Sequence, residues 1–185
     1  LVEHVIGQRA VTQTLRNAIA SQRIAQSFVF AGPRGVGKTT TARILARALN
    51  CELGPRPEPC GECLSCVDLA RGGPGSIDVI EIDAASHGGV DDARDLRERA
   101  FFAPVNSRYK VYIIDEAHMV STAGFNSLLK LVEQPPPHVR FIFATTEIRK
   151  VPVTILSRCQ RFDLKRLSVA DLMRHYGRIA AEEKV

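Results

Sequence analysis

Between residues 27 and 39 the chain reads SFVFAGPRGVGKT, and few stretches restrict a fold as tightly. SFVFAG (27–32) is a short apolar run closed by glycine, which predicts a buried strand. KTTTARILARALN (38–50) sets Ala42, Leu45, Ala46 and Leu49 on one face, which predicts a helix. GPRGVGKT (32–39) fits G-x-x-x-x-G-K-[ST] in the setting that pattern requires, after a strand and opening a helix. Glycines let backbone N–H groups turn onto phosphate oxygens, and the helix N-terminus adds positive potential. The expected phosphate cradle is Gly32, Pro33, Arg34, Gly35, Val36, Gly37, Lys38, Thr39 and Thr40. Lys38 would reach the β- and γ-phosphates of ATP, and Thr39 would ligate Mg²⁺.

The rest of the chain alternates strands with helices. RAVTQTLRNAIASQ (9–22) is helical, IDVIEID (77–83) is a second strand, and VDDARDLRERAFFA (90–103) is a helix with an acidic first turn. KVYIIDEAH (110–118) and VRFIFATTE (139–147) are strands on either side of the helix FNSLLKLVEQ (125–134), which Pro135, Pro136 and Pro137 stop. RFDL (161–164) is a candidate fifth strand, and LSVADLMRHYGRIAAEEK (167–184) opens a helix after a Ser168 cap. This alternation predicts an α/β fold with a parallel sheet covered on both faces. A second domain is expected to begin near residue 167.

Asp115 stands at the C-terminal end of its strand, where open α/β sheets bind ligands. It is expected to hold Mg²⁺, with Glu116 as general base toward the attacking water. Thr145 and Thr146 at the next strand tip are candidates to position that water or sense the terminal phosphate.

CELGPRPEPCGECLSC (51–66) holds four of the five cysteines. The spacing Cys51-x8-Cys60-x2-Cys63-x2-Cys66 suits a closed, structural tetrahedral Zn²⁺ site, with an Fe–S cluster or two disulfides as alternatives. A Pro- and Gly-rich lobe has too few apolar residues for its own core, and a metal can replace that core. The same composition predicts no regular element there.

A hydrophobic content of 45% with 24% charged residues is that of an ordinary globular chain, and no apolar run approaches the roughly 20 residues of a membrane span. The opening LVEHVIGQ has neither Met nor a leader, so a piece of a longer cytoplasmic protein is expected. The net charge of +5 suits a polyanionic partner.

GPRGVGKTTTARILARALNC, the four cysteines, IEIDAASHGGVDDARDLRE, YKVYIIDEAHM, LLKLVEQPPPHVRFIFATTE and VPVTILSRC together resemble the gamma/tau subunits of the bacterial DNA polymerase III clamp loader, along essentially the whole chain. The resemblance implies an AAA+ P-loop NTPase with a five-stranded parallel sheet. The nucleotide-binding domain would span 1–166, with the zinc lobe at 51–75, and 167–185 would be the first helix of a truncated helical lid. It implies an ATPase that opens and loads a sliding clamp onto primer–template DNA with delta, delta-prime and further gamma/tau copies. It also implies Walker A roles for Lys38 and Thr39, Walker B roles for Asp115 and Glu116, a sensor role for Thr146 with Thr145 as fallback, and an arginine finger acting in trans for Arg158. HVIGQ (4–8) resembles the segment that wraps the adenine. Most of the lid and the C-terminal collar would lie beyond residue 185.

Arg94, Arg97 and Arg99 share one predicted helix, but Asp91, Asp95 and Glu98 alternate with them, which reads as a solvated, salt-bridged face. DNA contact through Arg94 or Arg97 would be to phosphates. Two other readings compete with the clamp loader. DEAH (115–118) is a helicase-like tetrapeptide, with His118 otherwise a polar residue after the strand. A non-enzymatic P-loop interaction subunit would have no need of Glu116.

Overall fold

The structure, a computed structural model, describes residues 7–183. His4, Val5 and Ile6 of the expected adenine segment lie outside the described residues. Strands β1 (Ser27–Ala31), β2 (Val79–Asp83), β3 (Lys110–Asp115), β4 (Val139–Thr145) and β5 (Gln160–Asp163) form one parallel sheet in the order β2-β3-β4-β1-β5. The helices are α1 (Arg9–Ala20), α2 (Lys38–Asn50), α3 (Leu64–Asp68), α4 (Val90–Ala100), α5 (Thr122–Glu133), α6 (Val153–Leu156) and α7 (Val169–Glu183).

The sheet is covered on both faces, which is why β1 and β4 are buried at every position and β3 at all but its last. Side chains alternate between the two faces. Phe28 and Phe30 join Val11, Leu15 and Ile19 of α1 and Leu45 and Leu49 of α2. Val29, between them, joins Leu96 of α4 and Phe125 and Leu128 of α5. The edge strand β2 is more open, with Glu81 and Asp83 exposed.

Several element ends differ from the sequence expectation. β3 stops at Asp115 rather than running to His118, because Glu116 adopts φ 46° and ψ 45° and a 3-10 turn follows over Ala117–Met119. α5 starts at Thr122, three residues early, because the Ser121 side chain accepts from the Gly124 N–H and caps it. α4 ends at Ala100, leaving Phe101 and Phe102 exposed. The cysteine stretch does hold a regular element: α3 is one short helix. Leu64–Asp68 contains no Pro or Gly, and Cys63 supplies an extended residue before it. Ser168 caps α7, its hydroxyl accepting from the Asp171 N–H at 3.1 Å.

Asp78, just before β2, is fully buried and anchors the approach to β3. Its carboxylate accepts the N–H groups of Val105, Asn106 and Ser107 at 2.7, 2.7 and 2.8 Å. Removing the acceptor strands three donors at once. Asp78→Ala is expected to cost about 3 kcal/mol, a fall of roughly 6–12 °C in Tm. Calorimetry showing an unchanged Tm would refute the anchor.

Candidate nucleotide site and cysteine cluster

The loop between β1 and α2 depends on glycine at two points. Gly37, which precedes α2, has φ 94° and ψ 24°, a left-handed conformation that favours glycine. At Gly32 the constraint is space, since a Cβ there would lie 2.5 Å from the Leu164 carbonyl oxygen. The Gly32 N–H donates to the Thr145 carbonyl at 3.2 Å, tying the loop to the tip of β4. Lys38 is buried, and its Nζ donates to the carbonyls of Gly32 (3.0 Å) and Pro33 (2.9 Å). Burial holds its pKa below the usual lysine value, against the pull of Glu116 and Asp115 in the other direction. Arg34 and Thr40 are exposed, and Val36 is half-buried.

Because β4 lies between β1 and β3, three strand tips converge. The Thr39 hydroxyl donates to Asp115 Oδ2 at 2.6 Å. Asp115 Oδ1 accepts the Glu116 N–H at 2.9 Å. The Thr146 hydroxyl donates to Glu116 Oε2 at 3.3 Å. Glu116 holds a positive φ without being glycine, a strain on the order of 1–3 kcal/mol of the kind that collects at functional sites. The oxygens of Thr39 and Asp115 form a hard donor pair of the type Mg²⁺ takes, and Asp115 is also linked through the backbone to Glu116.

Two residues, Thr145 and His118, depart from their plain sequence reading. Thr145 is fully buried, and its hydroxyl faces His118 Nδ1 at 3.0 Å rather than the loop. His118 is no surface residue: its side chain is 8% exposed. Arg158 does not join this cluster. It follows α6, where Nη1 donates to the Thr154 carbonyl at 2.6 Å and Nη2 pairs with Glu133 Oε1 at 2.7 Å. Sequence reasoning assigned nothing to Glu133 or Glu147 and set His118 aside; the DEAH tetrapeptide was the one available signal. On α4, Arg94 pairs with Asp91 and Arg99 with Asp95, as a salt-bridged face requires.

The N-terminal Gln8 is buried and clamps the chain after β5. Its Nε2 donates to the Lys165 carbonyl (2.6 Å), and its Oε1 accepts the Lys165 N–H (3.1 Å).

The Sγ atoms of Cys51, Cys60, Cys63 and Cys66 all lie within 4.8 Å of one another, and Cys60 and Cys66 are 3.8 Å apart. A tetrahedron with Zn–S of about 2.3 Å has sulfur atoms about 3.8 Å apart, so the donor set fits Zn²⁺. The four thiols are free rather than disulfide-linked. The N–H of Cys60 donates to Cys51 Sγ and that of Cys63 to Cys60 Sγ, both at 3.4 Å. The Cys63 and Glu62 N–H groups draw the Cys60 thiol down to about 6, while burial pushes Cys66 up to about 12.

A family model described as DNA polymerase III, delta subunit, matches residues 7–168. The chain belongs to that family. Among curated relatives it is 58% identical over 181 residues to DNA polymerase III subunit gamma/tau of Mycobacterium tuberculosis, covering 98% of this chain and 31% of the relative. It is 50% identical over 184 residues to the tau subunit of Bacillus subtilis (99% and 32%) and 48% identical over 181 residues to that of Escherichia coli (98% and 28%). The gamma/tau resemblance read from the motifs is borne out. The chain spans about a third of the length of these curated relatives.

Two solved structures from Thermotoga maritima carry the same fold. A DNA polymerase III gamma subunit-related protein superposes with a TM-score of 0.56 at 17% identity, covering 88% of this chain and 47% of that one. The Holliday junction branch migration motor RuvB gives 0.64 at 20% identity, with 97% and 52% covered. This fold is the expected five-stranded parallel sheet with helices on both faces. Among the described residues, no helix of this DNA polymerase III family chain is long and apolar enough to cross a membrane.

Proposed function

We propose that this chain is the N-terminal nucleotide-binding part of a clamp-loader ATPase, acting in the cytoplasm within a DNA polymerase III holoenzyme. ATP binding and hydrolysis would open a sliding clamp and load it onto primer–template DNA, with delta, delta-prime and further gamma/tau copies as partners. The observation that carries the reading is the Thr39–Asp115 hydrogen bond at 2.6 Å, which joins the phosphate loop to the strand bearing Glu116. A P-loop used as an inert pocket needs no carboxylate held beside it. RuvB is similar in fold alone, which does not favour a helicase motor.

In this reading the loop from Gly32 to Thr40 holds the phosphates through its N–H groups. Lys38 exchanges its loop carbonyls for β- and γ-phosphate oxygens. Glu116 accepts a proton from the attacking water, and Thr146, hydrogen-bonded to that carboxylate, orients the pair. Thr39 and Asp115 would hold Mg²⁺, which neutralises phosphate charge when bound. Arg158 serves the nucleotide of a neighbouring subunit. Residues 1–166 form the nucleotide domain and 167–185 begin the lid. The test is ATP hydrolysis by the full-length protein assembled with delta, delta-prime and clamp. Strong stimulation by primed DNA is expected, and hydrolysis indifferent to DNA and clamp sinks the clamp-loader assignment.

Cys51, Cys60, Cys63 and Cys66 would hold one structural Zn²⁺, which supplies cohesion to the lobe at 51–75. Structural zinc sites contribute on the order of 10 kcal/mol, more than so small a lobe can draw from apolar burial. Chelation or Cys60→Ser is therefore expected to release one zinc per chain and open 51–75 to rapid hydrogen exchange, while the strands stay protected. Equal protection of the lobe with and without metal would remove the zinc assignment.

A further inference from the structure

His118 occupies the space between the tips of β3 and β4. Its Nδ1 lies 3.0 Å from Thr145 Oγ1 and 3.4 Å from Glu116 Oε2, and its Nε2 lies 3.6 Å from Glu147 Oε1. The Thr145 hydroxyl also accepts the Glu147 N–H at 3.0 Å. One short segment, residues 145–147, thus flanks both edges of the ring, with a hydrogen bond at Nδ1 and a longer approach of the Glu147 carboxylate at Nε2. A nearly buried imidazole must find polar partners, and every partner here belongs to the β4 tip or is Glu116 itself.

Glu116 needs such a neighbour. Its side chain is 32% exposed and its backbone sits in a strained turn. Among the described residues, two side chains touch its carboxylate within 3.5 Å: Thr146 and His118. Both approach Oε2, and among the described residues no side chain hydrogen-bonds the other oxygen. A base that drifts by about 1 Å can lose on the order of 100-fold in rate.

We propose that His118 is a positioning residue for Glu116: it fixes the carboxylate against the β4 tip, and Thr145 and Glu147 in turn fix the ring. The proposal rests on the reading of Glu116 as general base. It makes the aim of the base depend on where residues 145–147 stand, and the same segment is tied to the phosphate loop through the Gly32–Thr145 hydrogen bond. A displacement of the loop would therefore reach Glu116 through His118.

The experiment compares single-turnover ATP hydrolysis, nucleotide affinity and Tm in the full-length protein assembled with its partner subunits. The variants are His118→Ala, His118→Asn, Glu116→Gln, and Glu116→Gln combined with His118→Ala. His118→Ala is expected to slow hydrolysis by on the order of 10- to 100-fold, with affinity and Tm near wild type. His118→Asn, which keeps a polar atom near the Nδ1 position, recovers part of the rate. The alanine adds no further loss on top of Glu116→Gln. An unaffected rate in His118→Ala overturns the proposal. So do losses that multiply in the combined variant, or a joint fall of rate, affinity and Tm that asparagine does not rescue. If Glu116→Gln itself turns over like wild type, the general-base reading has failed and the positioning role goes with it. A full loss in Glu116→Gln beside an unaffected His118→Ala removes the positioning role alone.

Discussion

Arg158→Ala is expected to lower DNA-stimulated ATP hydrolysis by about 10³-fold or more in the full-length assembled complex, the loss associated with removing an arginine finger. In the isolated chain the guanidinium has only modest ties. Its pair with Glu133 is more than a third exposed on both sides, and such pairs contribute roughly 0.2–1 kcal/mol. Tm should therefore barely move, and nucleotide affinity should hold, because none of the contacts of Arg158 is with the phosphate loop of its own chain. The same weakness is what a trans-acting group requires. A neighbouring subunit's nucleotide, gathering negative charge on its γ-phosphoryl oxygens, can draw the guanidinium from Glu133 at little cost. Glu133→Gln should then leave turnover near wild type, since the pair only parks the arginine. Stimulated hydrolysis by Arg158→Ala at the wild-type rate would assign the residue to the surface and require another source of positive charge between subunits.

What could be read in advance depended on whether the determinant was local. β1, β3 and β4 were legible because burial on both faces demands continuous apolar residues, and the phosphate loop because its glycines, lysine and threonine act within eight consecutive positions. The four cysteines were legible because tetrahedral metal geometry imposes short, countable spacings. The end of β3 was not, because it is set by the backbone angles of one residue, Glu116, which has no glycine to betray a positive φ. α3 was hidden by the Pro and Gly on either side of it, although Leu64–Asp68 contains neither. His118 was misjudged for a different reason. Its partners Thr145 and Glu147 arrive from β4, and only the parallel register of β3 against β4 brings them to it. Arg158 likewise carries no local signal, and its proposed role came through family resemblance alone.

Glu116→Gln should reduce single-turnover hydrolysis by about 10²- to 10⁴-fold while leaving ATP binding intact. The two carboxylates at the end of β3 are distinguished by their contacts. Asp115 is engaged by the Thr39 hydroxyl and by the Glu116 N–H, so both of its oxygens are already committed to the loop and the turn. Glu116 has one oxygen held by Thr146 and His118, which leaves the other for water. The amide of glutamine preserves the size and the Thr146 contact but cannot take a proton, so the substitution separates chemistry from binding. Lys38 adds a control. Its pKa is depressed by burial but partly restored by Glu116, so removing that charge should lower it further. A lysine depressed in the folded state destabilises folding where it is neutral in the fold yet charged when unfolded. That cost grows as pH falls from the unfolded lysine pKa to the folded one. Glu116→Gln should therefore steepen the loss of stability as pH is lowered through the range just below the ordinary lysine value, a change visible in urea unfolding. An unchanged hydrolysis rate would mean that the proton is taken elsewhere, and Glu116 would then be a strained residue at the strand end with no part in the chemistry.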